Sequence, residues 1–231
     1  MRKELLIYNG PGVSEFFLPY FKSEFGSFFN IGFIDKDDIL NAKWTKTAHS
    51  ILIPGGRDVY YQQELKGIGN ALIQKFVNDG GNYIGICAGA YYGSSYIEFA
   101  KGTPLEIIDE RHLKFTGATA TGPVLGFDFS YENNNTARNV EIFYRSQTMC
   151  LALDVYYNGG CTFKSCKDYW PLAFYNSEKE MPAIILKNHG KGKVLLSGVH
   201  IECPAINEKK QQQIKRQKII IDILKRLCHR P

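Results

Sequence analysis

Three short segments hold residue types that can do nucleophilic chemistry. The first is Gly85-Ile86-Cys87-Ala88-Gly89, which ends an apolar run, Tyr83–Cys87, and precedes a helix-compatible stretch, Ala88–Ser95. A thiol at such a strand-to-helix turn sits on a strained backbone. The residues two places to either side must be small if strand and helix are to approach; here they are Gly85 and Gly89. Unpaired amides at the helix start favour thiolate over thiol, and the Ala88 amide would face a developing oxyanion. A buried strand-end cysteine beside glycines kept for packing fits the pentapeptide equally well. The second segment is Ser197-Gly198-Val199-His200-Ile201-Glu202, which follows the apolar run Val194–Leu196. In extended chain, residues i and i+2 project to one side, so His200 and Glu202 would point together toward the edge of a sheet. A carboxylate that orients an imidazole facing a thiol is the layout of an activated nucleophile. A satisfied surface pair is the alternative, and the cysteine turn favours the chemical reading. The third is Ile53-Pro54-Gly55-Gly56-Arg57-Asp58, where Gly55 and Gly56 leave backbone amides bare to donate to an oxyanion. A plain strand-terminating turn would look the same.

The elements around these segments alternate. Leu5–Tyr8, Ile31–Ile34, Ser50–Ile53 and Tyr83–Cys87 are predicted as buried strands. Between them, a helix capped by Ser14 runs to Phe25, and an amphipathic helix runs from Lys66 to Asn78 and stops at Gly80-Gly81. This rhythm predicts a mostly parallel sheet covered on both faces, with ligands beyond the carboxyl ends of its strands. The glycine-rich turns at 10–12, 54–56 and 85–89 all fall at those ends. From about 97 to 180 the pattern changes to Gly, Asn and aromatic clusters with short strand-like pieces, Val140–Tyr144 and Leu151–Tyr156. This predicts antiparallel strands and loops inserted in, or leaning over, the sheet. Ala183–Leu186 and Lys193–Ser197 read as a closing hairpin, and Ala205–Leu227 as the last helix. Residues 1–231 are expected to form one domain.

Composition narrows the function classes. At 231 residues, 44% hydrophobic and 22% charged, the chain is an ordinary globular one. No apolar run is long enough for a membrane span or a signal-peptide core, so cytoplasmic residence is the expectation. The six cysteines include no Cys-x-x-Cys pair, and no metal is expected; Cys161 and Cys166 alone could approach across a loop. The net charge of +5 is local: Lys209–Arg230 carries eight Lys or Arg and one Asp, which leaves the rest of the chain near −2. A solvated face of the last helix explains it better than nucleic-acid binding.

With Gly122-Pro123 and Tyr156-Tyr157-Asn158-Gly159-Gly160, the three segments span nearly the whole chain in order. In this the chain resembles class I glutamine amidotransferase-like domains. It resembles more closely the amidotransferase-like N-terminal domain of eukaryotic biotin–protein ligases and its stand-alone bacterial relatives. The resemblance implies a flavodoxin-like three-layer α/β/α sandwich, a Cys87–His200–Glu202 triad, and an oxyanion hole from the Gly56 region and the Ala88 amide. It does not imply biotin ligation, because the Gly-Arg-Gly-rich loop used for biotinyl-adenylate is absent. True amidotransferases carry Gln four residues after the nucleophile; this chain has Tyr91 there, followed by Tyr92. Glutamine thus loses its support as the substrate, while the triad keeps its own. Arg57, Asp58, Tyr91 and Tyr92 become candidates for binding a different ligand, with aromatic packing and a surface ion pair as the alternative. The expected activity is amide hydrolysis or acyl transfer on a small-molecule amide or acyl substrate, without a cofactor. The competing expectation is a non-catalytic binding or regulatory module that senses a metabolite or a protein partner.

Overall fold

A computed structural model describes residues 2–126, 128–131, 134–166, 168–175 and 181–228. The first part of the chain alternates as expected: β1 (Lys3–Tyr8), α1 (Leu18–Phe25), β2 (Phe29–Ile34), α2 (Lys36–Asn41) and β3 (Ala48–Ile53). Two helices follow, α3 (Asp58–Leu65) and α4 (Ile68–Asn78), then β4 (Asn82–Ile86) and α5 (Ala88–Gly93). The middle is all strand: β5 (Ser94–Phe99), β6 (Ile107–Glu110), β7 (Thr116–Gly122), β8 (Arg138–Arg145), β9 (Cys150–Tyr157), β10 (Thr162–Lys164) and β11 (Trp170–Tyr175). β12 (Pro182–His189), β13 (Gly192–Ser197) and α6 (Lys210–Cys228) close the chain.

The main sheet has nine strands in the order β2-β1-β3-β4-β13-β12-β11-β8-β9. Its first half is parallel. Every residue of β4 is buried, which a strand tolerates only where both faces are covered. One apolar cluster joins Phe21 and Phe25 of α1 to Ile219, Ile220, Ile223 and Leu224 of α6 on one face. A second packs α2 to α5 on the other through Ile39, Tyr61, Ile73, Phe76 and Tyr92. The expected three-layer α/β/α sandwich is thus present.

Two expectations need correction. The sheet is parallel in only four of its eight pairings, because β12, β11, β8 and β9 extend it antiparallel from β13. β8 buries alternate residues only, the period-two pattern of an antiparallel strand with one face covered. The segment 97–180 is therefore no simple insert: β8, β9 and β11 belong to the main sheet. Only β5, β6, β7 and β10 form a separate four-stranded sheet. Residues 127, 132–133, 167 and 176–180 of that segment lie outside the described residues, as do 229–231 at the end of the basic stretch. Element ends also shift. Ser14 makes no side-chain cap bond, a 3-10 turn at Glu15–Phe17 precedes α1, and α6 begins at Lys210 rather than Ala205. The hairpin forms as expected, with Ile184 opposite Ser197 and His189 opposite Gly192. Among the described residues, no helix is long and apolar enough to cross a membrane.

Candidate active site

β4 ends at Ile86, and Cys87 is the residue that turns the chain into α5. It does so at φ 51° and ψ −106°, a left-handed φ that a residue with a Cβ adopts only under constraint. The constraint is on both sides. The Cys87 amide donates to Ser197 O on β13 at 2.7 Å, and the Gly89 amide to Pro54 O at 3.1 Å. A methyl on Gly89 would stand 1.9 Å from Ile53 O, and one on Gly85 would stand 2.3 Å from Gly89 O. The two glycines let α5 start hard against β3 and β4, as the pentapeptide predicts. Cys87 is nearly buried, and its Sγ lies 3.6 Å from Asn158 O.

His200 and Glu202 do meet, with Nδ1 2.7 Å from Oε1, but in a turn after β13 rather than by strand alternation. Their exposures of 1% and 0% exclude a surface pair. Three contacts fix the imidazole. Phe17 stacks on it with ring centres 3.8 Å apart, the His200 backbone amide donates to Tyr156 O at 3.1 Å, and Gly55 opposes the ring where a Cβ would come within 2.6 Å of Cε1. Burial pushes the His200 imidazole down, but the Glu202 charge and hydrogen bonds to Cys87 and Glu202 outweigh this and hold it up at about 10. Oε2 of Glu202 is buried without a hydrogen-bond partner among the described residues. The carboxylate's one side-chain hydrogen bond among the described residues is therefore the one to the imidazole.

Beside Cys87 and His200 opens a cleft of about 390 Å³. Gly56 (φ 144°) and Ala88 line it. Among the described residues neither amide donates to a backbone carbonyl, whereas those of Ser14, Arg57 and Gly89 around them do. Bare N–H groups beside a thiol are what an oxyanion there would require. Gly55 contributes otherwise: its carbonyl accepts from Ser14, and its missing side chain makes room for His200.

The four candidate binding residues divide. Arg57 and Tyr91 line the cleft, Tyr91 with its hydroxyl on Gly159 O at 3.0 Å. Asp58 lines it too, but is held by Arg111 Nε at 2.6 Å in a buried ion pair. The alternative expected for it was an ion pair at the surface. Tyr92 does not line the cleft: its hydroxyl donates to Asn70 on the far side of α5. All six cysteines are free, Cys161 and Cys166 included, and no cluster of metal-ligating side chains occurs among the described residues. The sequence singled out neither Phe17 nor Arg111, because a stack and a buried pair across 53 positions leave no local pattern.

Residues 3–230 match the protein family described as "Biotin-protein ligase, N terminal". A Chlamydia muridarum protein named only as uncharacterized is 31% identical over 211 residues, covering 87% of this chain and 80% of that protein. A biotin–protein ligase of Schizosaccharomyces pombe is 31% identical over 212 residues, 87% of this chain but 33% of the ligase. The chain thus spans about a third of that enzyme. Among solved structures, PurLQS of Thermotoga maritima matches with a TM-score of 0.58 at 13% identity, over 97% of this chain and 100% of that one. A β-galactosidase of G. stearothermophilus gives 0.55 at 13% identity, over 100% of this chain and 31% of that one. Identities this low speak for the fold alone, and the α/β fold expected from the sequence is what they show.

Proposed function

We propose, from the premise that the chain belongs to the biotin–protein ligase N-terminal family, that it cleaves a small-molecule amide through Cys87, His200 and Glu202. The observation that carries this is His200, buried and held by Glu202 in the cleft that Cys87 also lines, with the Glu202 charge raising its pKa to about 10. Sγ, its proton already held on His200, adds as thiolate to the amide carbon, and the Gly56 and Ala88 amides receive the oxyanion. The C–N bond breaks as the leaving nitrogen takes the proton of His200, giving a thioester and an amine. Water or an acceptor amine then adds to the thioester carbon, its proton passes to His200, and the sulfur leaves as thiolate. Biotin transfer is not part of the proposal, since these residues correspond to a third of the yeast ligase.

A second reading, a binding or regulatory module without turnover, draws support from Tyr91. Its hydroxyl is already engaged by Gly159 O where an amidotransferase would present a glutamine side chain. Alkylation with iodoacetamide at neutral pH separates the two. Cys87 should label faster than exposed Cys150, and His200→Ala should slow Cys87 roughly tenfold or more, as removal of a neighbouring opposite charge that favours the thiolate does. Slow, equal labelling of all six cysteines would leave only the second reading.

A further inference from the structure

Another groove opens at the opposite edge of the main sheet. The ladder between β8 and β11 stops where Ala173 meets Tyr144 and does not extend to Trp170, Pro171 or Leu172. On their other side Trp170 and Pro171 pair with Leu186 and Ile185 of β12. Pro171 has no N–H to donate, and the register of β11 slips beside it. An open groove of about 840 Å³ lies there, lined by residues 170–172 of β11, 145–148 at the end of β8, and α6. Lys193 lines it too and sits opposite Asn82 at the start of β4, whose far end leads to Cys87. The groove shares no lining residue with the cleft beside Cys87. Its charge is one-sided. Among the described residues that line it, Arg145, Lys193, Lys225 and Arg226 stand against one acid, Asp222. That acid is already taken, with Oδ2 3.0 Å from Arg226 Nε and 2.7 Å from the Tyr144 hydroxyl. Trp170 stands 56% exposed in the same groove. A bare indole beside clustered cations and a strand edge is the makeup of an interface anchor.

We propose that this groove receives an extended, acidic segment of a partner protein. The segment adds as a strand along the side of β11 that β8 leaves, its carboxylates meet Arg145 and Lys225, and an apolar side chain covers Trp170. A bilayer or a nucleic-acid duplex would reach the outer cations but not the backbone edge of β11, whereas a single extended chain reaches both. The inference stands apart from the chemistry of Cys87, since the groove lies at the other end of the strands.

The chain has two tryptophans and Trp44 is buried, so a change in indole emission on binding reports Trp170. The probe is a peptide long enough for one strand, about ten residues, that alternates Asp or Glu with Val around a central Phe. Its control is a twin with Asn and Gln in place of the acids. The acidic peptide should bind saturably with a blue shift of the emission, and added salt should weaken it. Arg145→Gln combined with Lys225→Gln, both at exposed positions, should weaken it roughly tenfold, the scale of two exposed ion pairs. With the acidic peptide bound, amide exchange in the wild-type protein should slow at residues 145–148 and 170–172. No saturable binding, equal binding of the neutral twin, protection elsewhere, or an affinity that the double variant leaves unchanged each overturns the inference. Tighter binding of phosphatidylserine vesicles or of oligothymidylate at equal charge concentration also overturns it, and assigns the surface to a membrane or a nucleic acid.

Discussion

Held at about 10 in the fold against 6.5 for a free imidazole, His200 binds its proton more tightly in the native state than in the unfolded chain. The stability this linkage adds is fully present below pH 6.5 and is lost as pH rises through about 10. Glu202→Gln removes the largest influence that raises the group and leaves burial, which pushes it down, opposed by Cys87 alone. The variant's native state then holds its proton less tightly between pH 7 and 10 than the wild type does. Urea unfolding at those two pH values should show wild type losing at least about 1 kcal/mol more than Glu202→Gln, on the scale of one pKa unit. Other groups titrate alike in both proteins, so equal losses would refute the role given to Glu202. The sequence revealed this pair because only one residue separates its members. Phe17 gave no such signal: it falls in a stretch that reads only as helix, yet its ring lies flat on the imidazole.

At the scale of elements, the site depends on two glycine contacts that bring backbones together. Gly89 seats α5 against β3. Gly160, after β9, seats its loop against the turn after β13: a methyl there would stand 1.6 Å from Gly198 O, and one on Gly198 would stand 1.9 Å from Cys161 O. No rotamer change relieves a clash between two backbones, so the loops themselves must part. Gly160→Ala should cost about 3 kcal/mol in urea unfolding, the upper end for overpacking. It should also slow Cys87 labelling, since the same loop carries Asn158 O to the sulfur and follows Tyr156, whose carbonyl binds His200. An alanine variant as stable as wild type would show that this seam does not set the geometry. The glycines were legible as punctuation after strands. Their partners were not, because β8, β9 and β11 join the main sheet through pairings distant in sequence, and the short strand-like pieces there carry no sign of which neighbour they meet.

Across the whole molecule, the basic stretch on α6 turns out to be more than a solvated face. Arg216 is 1% exposed and reaches three regions: Nε lies 2.7 Å from Glu208, Nη2 lies 3.1 Å from Glu24 of α1, and Nη1 donates to Ile201 O at 3.0 Å. One guanidinium therefore ties the last helix to the first and to the backbone between His200 and Glu202. A helical wheel puts Arg216 on the face of Ile219, Ile220 and Ile223, so its burial was legible; the carboxylates that meet it there, brought up by other elements, were not, and a count of charges alone read it as surface. Removing it strands Glu208 and Glu24 with no cation, so Arg216→Ala should destabilise the fold by about 3–5 kcal/mol, the range for breaking a buried pair from one side. Its bond to Ile201 O gives Arg216 a route by which to position His200. Arg216→Lys keeps the charge but cannot match the fork of donors, and should recover part of the stability and little of the Cys87 labelling rate. Full recovery of labelling with lysine would reduce Arg216 to a charge balance for the two glutamates. Slow labelling in a lysine variant that still unfolds cooperatively would place the orientation of His200 under the control of α6.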